Sequence, residues 1–192
     1  VVKHYDIPFE DFGVFIFHTI TTELETLDDQ ITQIVSALID SEKNYIIIYP
    51  NNDLGTEIIL KRINELNGNR KFSIFPSVRF HSFLTILKNA EFIIGNSSAA
   101  VREAEVFGTP SINIGTRQKN RSKNEEIINV EPKKEIILDA INSIKNKKFS
   151  KRNLFGYVEN TTEKFLNILK NSDIWNISIQ KQFIDMKDTK SK

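Results

Sequence analysis

The sequence contains no cysteine, and this absence excludes several kinds of chemistry. Without thiols the chain can form neither disulfide bonds nor zinc–thiolate sites, and it has no cysteine nucleophile. Its three histidines, His4, His18 and His81, lie far apart with no metal-ligand spacing between them. We therefore predict neither a metal nor a cofactor.

Long apolar runs and a dominant charge of one sign are also missing. The longest apolar runs, residues 14–17 and 45–49, are far shorter than the ~20 residues that a membrane span needs. The net charge is +1, and no basic stripe with interleaved aromatic residues occurs. We therefore expect neither a membrane nor a nucleic acid as a partner. The start at Val1, without methionine or a targeting pattern, indicates a piece of a longer protein. The absence of cysteine is compatible with a reducing cytoplasm, which is the expected location.

Short apolar runs alternate with segments of helical periodicity along most of the chain. The runs predict strands, and the periodic segments predict helices between them. Six strands alternating with helices are typical of a parallel sheet covered on both sides, so we predict an α/β fold with a Rossmann-like doubly wound sheet. The predicted strands are 13–18, 45–49, 71–75, 92–94, 111–114 and 126–130.

The predicted helices include one over residues 99–106 and one that starts at Pro132. The second of these is expected to place four apolar residues on its inner face. They are Ile136, Ile137, Ala140 and Ile144.

Changes in composition suggest the domain organisation. Residues 1–12 have mixed polarity and a proline, so we interpret them as a linker or the end of a missing domain, and 13–150 as the sheet domain. Residues 151–186 carry two helical patterns, 161–169 and roughly 175–186, which should pack on the sheet domain or on a missing domain. We expect 187–192 to be disordered.

The strongest functional signal lies in residues 91–121. One strand ends at Ser97 and Ser98 before a helix, and the next ends in a loop that contains Arg117. Neighbouring parallel strands end at one edge of a sheet, where open α/β folds bind ligands. Unpaired N–H groups at a helix start attract an anion, and phosphate is the obvious one, although a serine there can equally be a helix cap.

Other polar residues add to this phosphate hypothesis. Arg117 can donate two hydrogen bonds to the same phosphate, and Lys119 and Arg121 add positive potential nearby. Glu103 could accept hydrogen bonds from ribose hydroxyls or simply face solvent. His18 could contact phosphate, transfer a proton, or be a hydrogen-bonded turn histidine. Because neither G-x-G-x-x-G nor a Walker motif is present, a sugar nucleotide is the favoured ligand.

Several short motifs stand at characteristic distances from one another. They are His18 with Thr21, Thr22 and Glu23; Tyr49, Pro50, Asn51, Asn52 and Asp53; Gly95, Asn96, Ser97 and Ser98; Arg102 and Glu103; Phe107, Gly108, Thr109 and Pro110; and residues 112–118. Together they resemble the hydrolysing UDP-N-acetylglucosamine 2-epimerases of sialic acid biosynthesis, from about the first strand to the helix near Leu169. The combination is far more specific than any one motif.

The resemblance implies a two-domain fold of the GT-B type, with this chain as the C-terminal, nucleotide-binding half. It implies that Ser97 and Ser98 hold the diphosphate of UDP, Glu103 the ribose and Arg117 the phosphates. It also implies that Asn51 and His18 line the cleft, with Asn51 among the nucleotide-binding residues and His18 as the candidate catalytic residue. The further candidates for nucleotide contact are Asp53, Ser77, Val78, Gly95 and Asn96.

The implied reaction eliminates UDP across C1 and C2 of UDP-N-acetylglucosamine to give a glycal, and then adds water to release N-acetylmannosamine. The family's acidic proton-transfer residues belong to the N-terminal half, so we expect this chain to bind UDP without turning over. Its implied partners are UDP, the UDP-sugar and its own N-terminal domain. Family members commonly form dimers or tetramers, so the full-length protein is expected to be a homo-oligomer.

Three alternatives stay open. One is a sister enzyme that acts on UDP-N,N'-diacetylbacillosamine on the way to legionaminic acid. Another is half of a GT-B glycosyltransferase. The third is a non-catalytic module that senses nucleotides or drives oligomerisation.

Overall fold

The computed structural model describes residues 5–144, 147, 149–152 and 160–176. The chain divides into two compact units, Val1–Leu154 and Phe155–Lys192. The first unit contains the sheet and the helices that cover it. The second contains two helices within its described residues.

Six parallel strands form one sheet in the order β3-β2-β1-β4-β5-β6. The strands are β1 Gly13–Ile16, β2 Tyr45–Ile48, β3 Phe72–Phe75, β4 Phe92–Gly95, β5 Ser111–Ile114 and β6 Ile128–Val130. The strand order reverses between β1 and β4, and in such sheets a crevice opens beyond the carboxyl ends of the strands at that point. The predicted Rossmann-like doubly wound α/β fold is confirmed.

Helices cover both faces of the sheet. The helices of the first unit are α1 Leu27–Asp40, α2 Thr56–Asn64, α3 Phe80–Asn89, α4 Glu103–Phe107 and α5 Lys134–Ile144. The buried residues of α1, α2 and α5 share one core cluster, and those of α3 and α4 belong to a second. Short 3-10 turns at Leu24–Thr26 and Ser98–Val101 precede α1 and α4.

The first strand shows why its sequence is apolar without a break. Phe15 and Phe17 belong to one core cluster, and Val14 and Ile16 belong to the other. Successive side chains of a strand point to opposite faces, and both faces of this sheet are covered. Full burial of one such side chain contributes about 1.5–3 kcal/mol to folding.

The ends of β2 and β4 each differ from the predicted ends by one residue, and two other predicted boundaries differ more at the carboxyl edge. The first strand ends at Ile16 rather than His18, because the side chain of Asn96 takes the backbone hydrogen bonds of His18. The helix predicted over 99–106 is divided into the 3-10 turn and α4. The division falls at Arg102, whose φ of −130° and ψ of −75° are not helical.

The helix predicted to start at Pro132 begins two residues later, as α5. Ile137, Ala140 and Ile144 are buried as expected, but Ile136 is 39% exposed. Its place in the core is taken by Ile141, because the apolar stripe follows the i, i+3, i+4 and i+7 spacing from Ile137.

The second unit contains α6 Thr161–Lys170 and α7 Ser172–Trp175. Asn160 and Asn171 cap these helices, since their side chains accept hydrogen bonds from the N–H groups of Glu163 and Asp173. The helix predicted over roughly 175–186 lies, apart from its first two residues, outside the described residues, as does the tail 187–192. No helix within the described ranges is both long enough and apolar enough to span a bilayer.

Candidate functional site

The predicted site residues lie in the segments that follow β1, β2, β3, β4 and β5 at the carboxyl edge of the sheet, except Gly95, which is the last residue of β4. The loops after β1 and β4 flank the point where the strand order reverses. His18 follows β1, and Ser97 follows β4. Because the strands are parallel, these residues from distant parts of the chain end at one edge.

Asn96 joins the β1 and β4 loops. Its Oδ1 accepts a hydrogen bond from the N–H of His18 at 2.7 Å, and its Nδ2 donates to the carbonyl of His18 at 2.8 Å. Its own N–H donates to the carbonyl of Ile16 at 3.1 Å. The residue is fully buried, so its amide belongs to the framework of the site.

His18 is held in one orientation from two sides. Asn96 bonds both of its backbone groups, and the N–H of Asn51 donates to its Nδ1 at 3.1 Å. Since Nδ1 accepts a hydrogen bond, a neutral imidazole here carries its proton on Nε2. His18 is therefore placed as a neutral hydrogen-bond donor.

The surroundings of His18 favour this neutral form. The pKa of the imidazole is lowered from 6.5 to about 4. Burial is the largest cause, the positive charge of Arg117 acts in the same direction, and the charge of Asp53 opposes both. Burial disfavours the charged form because the low-dielectric interior solvates an imidazolium poorly. At neutral pH His18 is uncharged.

This shift predicts an acid-sensitive contribution to stability. The folded-state pKa lies below the unfolded value, so the unfolded chain binds more protons between about pH 6.5 and pH 4. The free energy of unfolding should therefore fall as the pH falls through this window. His18→Asn removes the titrating group, so its urea-unfolding curves should lack this part of the pH dependence. Equal slopes for the two proteins in this window would contradict the prediction.

Arg117 reaches the same junction from the loop after β5. Its Nη1 donates to the backbone carbonyl of Asn96 at 3.1 Å, and Asn96 directly precedes Ser97 in the sequence. Desolvation and the nearby charge of Arg121 hold the pKa of Arg117 below its ordinary value, while Asp53 opposes them. A half-buried cation near a second cation is a favourable place for an anion.

A cavity of about 220 Å³ opens between the ends of β1, β2 and β4. Polar and apolar groups from several loops line it. They are Ile16, His18, Ile48, Tyr49, Asn51, Val78, Phe83, Ser97 and Ala99. Four of the predicted site residues, His18, Asn51, Val78 and Ser97, therefore share one cavity.

Ser97 and Ser98 lie in different environments. Ser97 is buried, caps the 3-10 turn with its Oγ accepting from the N–H of Ala99 at 3.3 Å, and lines the cavity. Ser98 begins the turn and is half-buried. Ser97 therefore has the capping role that the sequence left open as an alternative, and it also lines the cavity.

The other seven predicted residues do not line the cavity formed by the described residues: Asp53, Ser77, Gly95, Asn96, Ser98, Glu103 and Arg117. Ser77 and Asp53 are exposed, and Asp53 acts on His18 and Arg117 through its charge. Glu103 starts α4, and its Oε2 is buried with no hydrogen-bond partner among the described residues. A buried carboxylate oxygen without a donor is costly, so Glu103 is suited to accept a hydrogen bond from a ligand.

Sequence reasoning missed two contacts that hold the site together. Gln118 is 3% exposed and donates from Nε2 to the carbonyl of Asn96 at 2.9 Å. Glu23 accepts hydrogen bonds from the hydroxyl of Thr116 and the amide of Gln30, and so ties the β1 and β5 loops. Both belong to motifs noted in the sequence, but spacing alone carries no information about which loops they join.

Relatives of known name match most of this chain. The family model described as UDP-N-acetylglucosamine 2-epimerase matches residues 1–170. A UDP-N-acetylglucosamine 2-epimerase of Neisseria meningitidis serogroup B is 42% identical over 97% of this chain and 50% of its own length. A UDP-N,N'-diacetylbacillosamine 2-epimerase (hydrolyzing) of Legionella pneumophila is 26% identical over 85% of this chain and 43% of its own. The chain thus spans about half the length of the curated relatives it matches.

The fold is also found in solved structures. A crystal structure of Methanocaldococcus jannaschii UDP-GlcNAc 2-epimerase in complex with UDP-GlcNAc and UDP matches with a TM-score of 0.67 at 23% identity, over 87% of this chain and 47% of that one. This likeness shows the fold, which makes up about half of that chain. The family match and the 42% identical relative together show that the chain belongs to the UDP-N-acetylglucosamine 2-epimerase family.

Proposed function

We propose that this chain is the UDP-binding half of a hydrolysing UDP-N-acetylglucosamine 2-epimerase. One observation carries the proposal: His18, Ser97 and Arg117, which come from three different loops, meet around Asn96 at the point where the strand order reverses. Family membership supports the same reading.

The diphosphate of UDP is proposed to lie between these three side chains. Arg117, bonded to the carbonyl of Asn96, supplies a cation with a planar array of donors. Neutral His18 supplies its Nε2–H and Ser97 a hydroxyl, and these two residues line the cavity. Ser98 completes the group at the start of the 3-10 turn. As the bond between C1 and the leaving oxygen breaks, charge gathers on the diphosphate, and these donors would stabilise it most in the transition state.

The nucleoside is proposed to occupy the rest of the site. The orphaned Oε2 of Glu103 can accept from the ribose hydroxyls. Val78 and Phe83 form an apolar part of the cavity wall, which can cover a face of the base. Ser77 is exposed and directly precedes Val78 in the chain. Asn51 contributes by orienting the imidazole of His18.

The complete reaction belongs to a longer protein that carries this chain. That protein would eliminate UDP to give a glycal and hydrate it to N-acetylmannosamine, which is the first step of sialic acid biosynthesis. We propose that the acidic groups for proton transfer lie in the other half. A cytoplasmic location, a homo-oligomeric state and a bacterial surface polysaccharide as the destination of the product are parts of the same proposal.

Calorimetry on this chain tests the binding step. UDP is expected to bind with a Kd of about a millimolar or tighter, because half of the cleft is sufficient for the diphosphate but not for the whole sugar nucleotide. Uridine, which lacks the diphosphate, should bind at least about tenfold more weakly than UDP. A double variant, Ser98→Ala with Arg117→Ala, should show no measurable heat of binding.

Uridine serves as the matched control ligand in this experiment, since it keeps the base and the ribose. Equal affinity for UDP and uridine would refute a diphosphate site. So would undiminished binding of UDP by the folded double variant.

The sister activity on UDP-N,N'-diacetylbacillosamine is the second candidate, and the Legionella relative favours it. Both reactions need the same UDP site, so this chain alone does not discriminate them. Proton NMR of the products formed by the longer protein from each UDP-sugar separates the two. The glycosyltransferase alternative predicts transfer of the sugar to an acceptor instead of release.

A further inference from the structure

Asn96 is the point at which three loops of the site are joined. It is fully buried, yet the functional proposal gives it no contact with substrate. Its side-chain amide bonds the N–H and the carbonyl of His18, and its backbone N–H bonds Ile16. Its backbone carbonyl accepts hydrogen bonds from Arg117 at 3.1 Å and from Gln118 at 2.9 Å.

We infer that Asn96 is a positioning residue that holds His18 and Arg117 at the separation needed for one diphosphate, without touching the ligand. This inference deepens the proposed function and rests on it for the identity of the ligand. The geometric part, that Asn96 sets the orientation of His18, stands without any ligand.

The chemistry of the side chain explains why asparagine suits this position. A carboxamide presents one donor and one acceptor side by side, as a backbone peptide does. Asn96 therefore extends the hydrogen bonding of β1 to His18, two residues beyond the end of the strand, and bonds His18 as a neighbouring strand would. Aspartate could accept from the N–H of His18 but not donate to its carbonyl, and alanine could do neither.

Orientation passes from the backbone of His18 to its ring. With both backbone groups of His18 fixed, the imidazole lies where the N–H of Asn51 donates to Nδ1 at 3.1 Å. That bond leaves the proton on Nε2, which is the donor that the anion needs. Asn96 thus determines the tautomer of the His18 ring, although it bonds only the backbone groups of His18.

The backbone carbonyl of Asn96 orients the cation. A carbonyl oxygen has two lone pairs, and here it accepts hydrogen bonds from both Arg117 and Gln118. Gln118 is almost fully buried and shares this oxygen, so it restricts the loop that carries Arg117. The anion-binding groups on both sides of the junction are therefore held by a single residue.

The test compares Asn96→Ala with Asn113→Ala in the ligand-free chain. Asn113 is a matched control: it is 1% exposed, lies in the neighbouring strand β5 opposite Gly95, and donates to the side chain of Asn129 at 2.8 Å. NMR of the isotope-labelled imidazole nitrogens reports the tautomer and titration of His18. With three histidines in the chain, the signals are readily assigned.

The wild-type chain and Asn113→Ala should show a single Nε2–H tautomer for His18. Asn96→Ala should show an average of both tautomers, because a His18 whose backbone groups are not bonded no longer holds its Nδ1 against the N–H of Asn51. The charged groups that face His18, Arg117 from the loop after β5 and Asp53 from the loop after β2, remain in both variants. A merely stabilising role would lower the melting temperature but leave the signals of the folded protein unchanged, and that result would overturn the inference.

UDP titration adds a second readout. Asn96→Ala should bind UDP at least about tenfold more weakly than the wild type, the cost of losing one well-placed hydrogen bond, while Asn113→Ala binds normally. If the wild type fails to bind UDP, the proposed function is wrong, but the NMR comparison still decides the role of Asn96. If UDP binds and Asn96→Ala retains the wild-type tautomer, only the role of Asn96 is refuted.

Asn96→Asp covers the case in which the alanine variant does not fold. It keeps the volume and the acceptor for the N–H of His18 but loses the donor to the His18 carbonyl, so His18 should again lose its single tautomer. Failure of both variants to fold, with Asn113→Ala folded, would assign Asn96 to the stability of the sheet and overturn the inference.

Discussion

Gly95→Ala is expected to destabilise the chain by more than about 4 kcal/mol, or to prevent folding altogether. Gly95 ends β4 with φ of +132°, and a Cβ there would stand 1.9 Å from the backbone oxygen of Ile16. The clash is with backbone in the paired strand β1, which has no side-chain rotamer with which to move away. Urea unfolding followed by circular dichroism measures the effect.

Gly68→Ala is the matched control for this prediction. Gly68 also has a positive φ, +86°, but a Cβ there would meet no atom within 4 Å. Its cost should be about 1–2 kcal/mol, since only the backbone conformation is strained. Similar costs for the two substitutions would show that the contact with Ile16 is not the reason for glycine at position 95. A large difference would identify close approach of β1 and β4 as the cause.

Arg117→Ala is expected to weaken UDP binding by about 100-fold, because a charge-assisted, bidentate contact with phosphate contributes up to about 3 kcal/mol. The substitution should leave folding nearly intact, since the guanidinium is only half-buried. Isothermal titration of the wild type and the variant with UDP measures the loss. An accompanying rise in the pKa of His18 is expected, since the charge of Arg117 helps to lower it.

Arg121→Ala provides the control for charge alone. Arg121 lies in the same loop, is exposed, and acts on Arg117 through its charge. Exposed charges contribute at most about 1 kcal/mol, so its removal should change the affinity less than about fivefold. If both substitutions weaken binding equally, Arg117 acts only through the general potential of the loop and does not contact the phosphate.

Local sequence patterns were sufficient to predict the fold. The unbroken apolar run of β2 and the periodic stripe of α1 each indicate an element from residues adjacent along the chain. Alternation of such elements favours a parallel sheet with right-handed crossovers, which limits the topology to a few choices. Boundaries were less accurate where a tertiary contact intervenes, as at His18, whose backbone is bonded by a side chain 78 residues away.

The site was predicted in its parts but not in its organisation. Motif residues such as Ser97, Arg117 and Glu103 could be named because their residue types and spacing suit an anion and a ribose. Their predicted ligand roles await the binding experiments. The lowered pKa of His18 and the orphaned oxygen of Glu103 depend on burial, which the sequence around each residue does not specify.

By itself, the sequence determined the order and type of the elements, the absence of thiol chemistry and the family resemblance, because each depends on residue identity and near-neighbour spacing. Only the tertiary structure decided that Asn96 is a buried junction and that Gln118 and Arg117 share its carbonyl. The physical reason is distance along the chain. These hydrogen bonds join loops after β1, β4 and β5, and such loops meet only when a parallel sheet brings the ends of its strands to one edge.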